Sequence, residues 1–325
     1  MLLLVLLLFW AQVIDIATAD RLFNQGRYEA ALEAYQQHLK RLPDEPALLL
    51  RIGFCQYSLD QFDKAEATFR RVLSLAPGMP QAQVGLGSVL TAAGRAEEAI
   101  PLLEEAVKKL DGDVQARRAL GRAYLEAGKF IEGEETLRAL VEENPRDWQS
   151  WFYLGVLLFD QNYSAPALAA LEKSLALHPD NPIALVYRAG ALSQLGRLDE
   201  AEKEFRRLAA NAAVNRSSEY FLGYGQLLFL KGDYAGALAK FEAAIERDPD
   251  SAKLHYWRAR SLFYLKRIDE ALKAAEKCVA LAPNMPGGRN LLLRLYRLKG
   301  MEKEAAEQAA WLRAHEHKVA IGRGR

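Results

Sequence analysis

Catalysis needs nucleophiles, acids, bases or metal ligands at spacings that let them converge, and this chain offers few. His315 and His317 flank Glu316, but residues two apart on a helix point ~200° apart and cannot close on one ion. The stretch GYGQLL from Gly223 to Leu228 opens like a dinucleotide-binding loop, yet it lacks the third glycine and any preceding strand. GLGSVL around Ser88 is no nucleophile elbow, because the pattern around it is helical with no strand before it. The acidic pairs Glu97/Glu98, Glu104/Glu105 and Glu134/Glu135 fall on outward faces and read as solvated surface. Asn162 and Asn215 head Asn-x-Ser sequons, which matter only in a eukaryotic secretory pathway. Cys55 and Cys278 form neither a CxxC nor a Cys/His ligand pattern, so neither zinc nor a disulfide framework is indicated. These residues predict a protein that is not an enzyme and uses no metal or cofactor.

Half of the 325 residues are hydrophobic and 26% are charged, a folded composition. A formal net charge of +1 supplies no whole-protein field for nucleic acid. The charge is uneven, since residues 286–325 hold nine Lys/Arg against four Glu. Only the C-terminal end is basic.

The elements that position side chains follow from a repeat. Pro43, Pro77, Pro145, Pro179, Pro249 and Pro283 lie mostly 34 residues, or a multiple of 34, apart. Asp111 and Ala213 stand where the period calls for proline, and the frame slips by two residues before Pro249. In the same frame a small residue recurs as Gly53, Gly87, Gly121, Gly155, Ala189, Gly225 and Ala259. Seven positions later comes a turn-compatible residue: Gly94, Gly128, Asn162, Gly196 and Gly232, with Asp60 and Lys266 as looser versions. A second small column (Ala65, Ala99, Gly133, Ala167, Ala201, Ala237, Ala271) precedes by four residues a bulky one (Phe69, Leu103, Leu137, Leu171, Phe205, Phe241), which Ala275 breaks. Each repeat therefore reads as two amphipathic helices of ~12–14 residues with apolar positions at helical spacing. Glycine suits the turn between them, and proline ends the second helix. Pro101 and Pro166 are expected at the starts of second helices, where a missing N–H is harmless. One such pair cannot bury its own apolar faces and must stack on neighbours. The stretch after Ala209, AANAAVNRSSEY, is expected to form a softer joint.

Trp151, Leu154, Gly155, Leu158, Ala167, Leu171 and Pro179 show the pattern most fully, and through it the chain resembles the tetratricopeptide repeat (TPR) family. The resemblance implies an all-α fold, an α-α superhelix or TPR solenoid of about nine helix-turn-helix repeats. The array is expected over residues 12–319, with repeats starting near 12, 46, 80, 114, 148, 182, 218, 252 and 286, followed by a basic tail at 320–325.

The resemblance also implies a function: a non-enzymatic scaffold whose first helices line a concave groove that binds a peptide or protein partner. Carried over position by position, the groove residues are Phe54 and Tyr57 in repeat 2, Arg118 and Arg122 in repeat 4, and Phe152 and Phe159 in repeat 5. Phe229 follows in repeat 7, Lys253, Tyr256, Arg260 and Phe263 in repeat 8, and Arg294 with Arg297 in repeat 9. Arginine beside an aromatic suits an acidic or carboxylate-bearing ligand, because guanidinium can both stack and pair bidentately. The Lys/Asn clamp that some family members use for a C-terminal carboxylate is not matched, since Leu50, Val84 and Phe152 stand at those positions.

The N-terminus, MLLLVLLLFWAQVIDIATAD, is apolar from residue 2 to residue 9. Leaving that run in water would cost on the order of 10 kcal/mol. A helix over residues 2–11 spans only ~15 Å, short of the ~30 Å hydrocarbon core, and extending it to Ala19 places Asp15 inside. Ala17-Thr18-Ala19 before Asp20 fits a signal-peptidase site. The expectation is export to the periplasm or cell envelope, with residues 1–19 as the targeting segment; the alternative is an accessory or assembly factor of an envelope complex, anchored in the membrane by residues 2–19. The repeat frame conflicts with cutting after Ala19, which removes half of the first helix, whereas cutting after Ala11 spares it.

Overall fold

The computed structural model describes residues 15–212, 214 and 217–315. The apolar N-terminal run, the Ala11 cleavage site, Asn215, Glu316, His317 and the 320–325 tail lie outside those residues. The described residues form eighteen helices and no strand. The fold class is all-α, a solenoid of helix-turn-helix repeats.

First helices run Ile16–Asn24, Pro46–Ser58, Pro80–Ala92, Val114–Glu126, Trp148–Asp160, Pro182–Gln194, Ser218–Leu230, Ala252–Tyr264 and Pro286–Leu298. Their partners run Tyr28–Leu39, Phe62–Leu75, Ala96–Lys109, Phe130–Glu143, Ser164–Leu177, Leu198–Leu208, Tyr234–Ile245, Ile268–Leu281 and Glu302–Ala314. Four first helices open on proline, at Pro46, Pro80, Pro182 and Pro286, where the ring fixes φ and the absent N–H would have had no partner. Side-chain caps open others, as where Asp113 accepts from the Ala116 N–H at 2.6 Å, and Asn181 adds one to the Pro182 helix, accepting from the N–H groups of Ile183 and Ala184 at 3.1 Å. Each such cap satisfies N–H groups that the first turn leaves without a helical acceptor.

The first described helix begins at Ile16, where Asp15 caps it by accepting the Thr18 N–H at 2.6 Å; residue 12, where the array is expected to start, lies outside the described residues. Ala19, the last residue of the Ala-x-Ala site, is fully buried within that helix. Pro101 departs from expectation. It lies inside Ala96–Lys109, beyond the first turn, so the Glu97 carbonyl loses its helical donor. Pro166 does fall in the first turn of its helix.

Every turn-column residue has a left-handed backbone, including the two that are not glycine or asparagine: Asp60 at φ 56° and Lys266 at φ 63°. The conformation is imposed by the closing hydrogen bond of a Schellman-type turn. The Arg267 N–H reaches back to the Leu262 carbonyl at 2.9 Å and the Gln61 N–H to the Gln56 carbonyl at 2.9 Å. Lysine there pays the Cβ clash that glycine avoids.

Within a repeat, the small residue of the first helix faces the bulky residue of the second. A Cβ on Gly53 would lie 2.6 Å from the Phe69 ring, and one on Gly225 2.6 Å from the Phe241 ring; both rings are fully buried. Where the bulky column fails at Ala275, the small column holds Ala259, and both are buried in one cluster.

The chain divides into two compact halves, one ending at Gln161 and the other starting at Asn162. The irregular stretch after Ala209 lies inside the second. There the preceding helix shortens to 11 residues, while Val214 is buried and the Tyr220 hydroxyl donates to the Phe205 carbonyl at 3.1 Å.

Candidate functional site

The residues assigned to the groove divide sharply by half. In the N-terminal half they are largely consumed by packing. Arg118 pairs with Asp147, its Nη1 lying 2.8 and 2.9 Å from the two carboxylate oxygens. The two side chains are only 19% and 13% exposed, and Ser150 donates to the same carboxylate. Arg118 is thus not a free cation for a ligand, a correction to the sequence expectation: its partner sits 29 residues away, at the cap of Trp148–Asp160. Arg122 donates to the Tyr57 hydroxyl at 3.0 Å and lies over the Tyr153 ring at 5.9 Å. Burial opposes its charge, yet Tyr153 and Tyr57 outweigh that and hold the guanidinium above its ordinary range. Phe54 packs edge-on against Phe69 at 5.1 Å, Tyr57 against Phe62 at 5.9 Å, and Phe152 against Tyr153 at 5.3 Å. Phe159 is half-buried.

The C-terminal half is built otherwise. Phe229 is a buried floor, with Tyr234, Trp257 and Tyr264 against it edge-to-face at 5.1, 5.4 and 5.3 Å. Arg260 lies over Phe229 at 4.6 Å and over Trp257 at 4.4 Å, with Tyr256 at 5.5 Å. One repeat later, Arg294 lies over Phe263 at 4.4 Å. The relation is the same each time: an arginine stacks on the phenylalanine of the preceding repeat. Among the described residues no salt bridge takes Arg260, Arg294 or Arg297. Arg294 and Arg297 are exposed and border a cavity of about 410 Å³ with Asn290, Leu293 and Leu298. Lys253 is exposed on the same helix as Arg260. A guanidinium held against a ring keeps its in-plane N–H groups available, so a carboxylate can pair with it at little ordering cost.

Two further features bound the site. A cavity of about 890 Å³ beside repeat 6 is lined by Arg188, Lys203 and Arg207 but equally by Asp180, Glu200 and Glu204. Arg188 pairs there with Glu204, so this cavity selects no charge. Among the described residues no group of three or more His, Cys, Asp and Glu could hold a metal ion.

The sequence assignment missed Trp257, which carries as much of the Arg260 stack as Phe229 does, and Tyr153. Each is the immediate neighbour of a residue that was assigned, Tyr256 and Phe152. Runs of adjacent aromatics, as in HYW and WFY, were the available signal.

Sequence models of the tetratricopeptide repeat match residues 22–89, 90–154 and 160–220, and a second such model matches 222–286. The chain belongs to the tetratricopeptide repeat family. Proteins of this family act as protein-interaction scaffolds. The chain is similar to the Arabidopsis thaliana protein CTR9 homolog, 27% identical over 307 residues, covering 77% of this chain and 28% of the relative. It is also similar to cellulose synthase operon protein C of Xanthomonas axonopodis pv. citri, 28% identical over 271 residues, covering 76% of this chain and 17% of the relative. The chain thus spans roughly a quarter or less of the length of these curated relatives. Among solved structures it resembles the APC/C hetero-tetramer Cut9–Hcn1, with a TM-score of 0.66 and 16% identity over 86% of this chain and 55% of that one. That likeness is one of fold.

Proposed function

We propose that this TPR chain is a non-enzymatic scaffold that binds an acidic or carboxylate-bearing segment of a protein partner on the first-helix faces of repeats 7–9. The observation that carries the reading is the pair of arginines, Arg260 and Arg294, stacked on phenylalanines of the preceding repeats and, among the described residues, without a salt bridge. Affinity in the micromolar range corresponds to about −8 kcal/mol, which two desolvated charge pairs and the aromatic floor can supply. Peptide arrays of acidic, neutral and basic sequences test it, probed with the native chain and with Arg260→Glu/Arg294→Glu. Retention of acidic peptides, weakened by salt and lost in the double variant, is the expected result. Equal retention of acidic and basic peptides by both proteins would overturn it.

A second reading is supported by the relative from a cellulose synthase operon and by the apolar N-terminus: an exported accessory or assembly factor of a cell-envelope complex, held at the membrane by the N-terminus or released from it. Among the described residues no helix is long and apolar enough to cross a membrane, so an anchor would have to include residues before Asp15. Fractionation and N-terminal sequencing of the native protein test it. Recovery in the membrane with Met1 intact supports the anchor, a start at Gln12 supports export with a whole first repeat, and recovery of the intact chain in the cytosol overturns both.

A further inference from the structure

The residue two positions before each turn residue forms a column of its own. In repeats 1 to 6 it is Asn24, Ser58, Ala92, Glu126, Asp160 and Gln194, all polar or small. In repeats 7 to 9 it is Leu230, Tyr264 and Leu298, and these three are 53%, 44% and 59% exposed. A large apolar side chain at an exposed position is unremarkable once. Recurrence at one position of three consecutive repeats makes a row. Each member ends its first helix and lies four residues after Gln226, Arg260 or Arg294. Residues four apart share a helix face, so an apolar row runs beside the arginine row, about one helical turn (~5.4 Å) away.

These two rows constrain the shape of the partner, on the premise of the acidic-segment reading above. Both cross the repeats, and packed helices lie ~8–10 Å apart. A ligand lying along them must offer apolar groups and carboxylates in two parallel lines on one side of itself. An extended strand cannot, because successive side chains point to opposite faces and each face carries a single line. A helix can: apolar residues at heptad positions a and d form one line, acidic residues at e or g form the next, and the seven-residue repeat rises ~10.5 Å. We infer that repeats 7–9 bind an amphipathic helix of the partner, its apolar seam on Leu230, Tyr264 and Leu298 and its acidic flank on Arg260 and Arg294.

Two synthetic peptides of identical composition separate this from an extended mode. One carries Leu at a and d with Glu at e and g; the other alternates Leu and Glu with period two. Calorimetry and circular dichroism with the full chain are expected to show tighter binding of the heptad peptide by about tenfold or more, with helix gained on binding. Leu230→Gln/Leu298→Gln, which leaves Tyr264 on the Phe229 floor, is expected to weaken it by a similar factor while leaving the melting temperature near that of the native chain, since both side chains are more than half exposed. Equal or tighter binding of the alternating peptide that is still lost in Arg260→Glu/Arg294→Glu would overturn the helix and leave the acidic-partner reading standing. Binding of either peptide that neither variant weakens would overturn both. Concentration-dependent self-association, or binding to phosphatidylglycerol vesicles, that the Leu230→Gln/Leu298→Gln variant abolishes would assign the apolar row to a second copy or to a lipid surface instead, and would also overturn the inference.

Discussion

Arg118 and Arg294 occupy first helices of the same kind of repeat, yet one is closed into a salt bridge and the other, among the described residues, has none. In the N-terminal half Arg118 is closed off by Asp147, and Arg122 is enclosed by two tyrosines. In the C-terminal half Arg260 and Arg294 rest on rings, and among the described residues no salt bridge takes either. The difference teaches that exposure of charge on a repeat face is decided by the neighbouring repeat. A carboxylate one repeat on turns a ligand-binding cation into a bolt. An aromatic one repeat back orients the cation and leaves it available.

That comparison can be broken in several ways. The helix pairing itself should not differ between halves, so Gly53→Val, against Phe69, and Gly225→Val, against Phe241, are each expected to cost about 3 kcal/mol by overpacking. Unequal losses in denaturant melts would show that the two halves are packed differently. Asp147→Ala should destabilise by about 2 kcal/mol, because it strands the Arg118 guanidinium in a largely buried place, and should leave acidic-peptide binding unchanged. A variant with an unchanged melting curve would mean that Arg118 is not a structural ion. Lys266→Gly is expected to stabilise by about 1 kcal/mol, relieving a left-handed lysine without touching the Arg260 stack. Destabilisation instead would mean that the lysine side chain holds the turn.

The smallest effect is one of pH. Arg51 donates to Asp20 at 2.8 Å and Tyr35 donates to the same oxygen, so the Asp20 carboxyl is held below its ordinary range, chiefly by Arg51. A depressed folded-state pKa stabilises fully above the unfolded value and is lost as pH falls through the folded one. Below about pH 4 the native chain should therefore lose slightly more stability than Asp20→Asn does; parallel pH profiles would show that the bridge is too solvent-screened to count.

Much of this fold was legible in the sequence, because the 34-residue columns record contacts made within one repeat. Gly53 and Phe69 are 16 positions apart and face each other, as do Gly87 with Leu103, Gly121 with Leu137 and Gly225 with Phe241, so a small residue opposite a bulky one recurs down most of the chain. Asp60 and Lys266 were legible as turn residues for the same reason, although neither type favours the left-handed backbone they adopt. The state of each arginine was not legible. It depends on contacts between repeats, such as Arg118 with Asp147 or Arg260 with Phe229, and each of those is made in only some of the repeats. The apolar row at Leu230, Tyr264 and Leu298 was visible only as a departure of three repeats from the other six, in a column that the family pattern leaves unconstrained. Exact helix starts were less legible: the second helix of repeat 3 begins at Ala96 with no side-chain cap, which leaves Pro101 inside it rather than in its first turn.

The central claim is that free, ring-stacked arginines of the C-terminal half make the binding face. Calorimetric titration of an acidic peptide into the native chain and into Arg260→Glu/Arg294→Glu, with melting curves of both, tests it most directly. The predicted result is a loss of affinity of about tenfold or more at an unchanged melting temperature, and an affinity equal in the two proteins would contradict it.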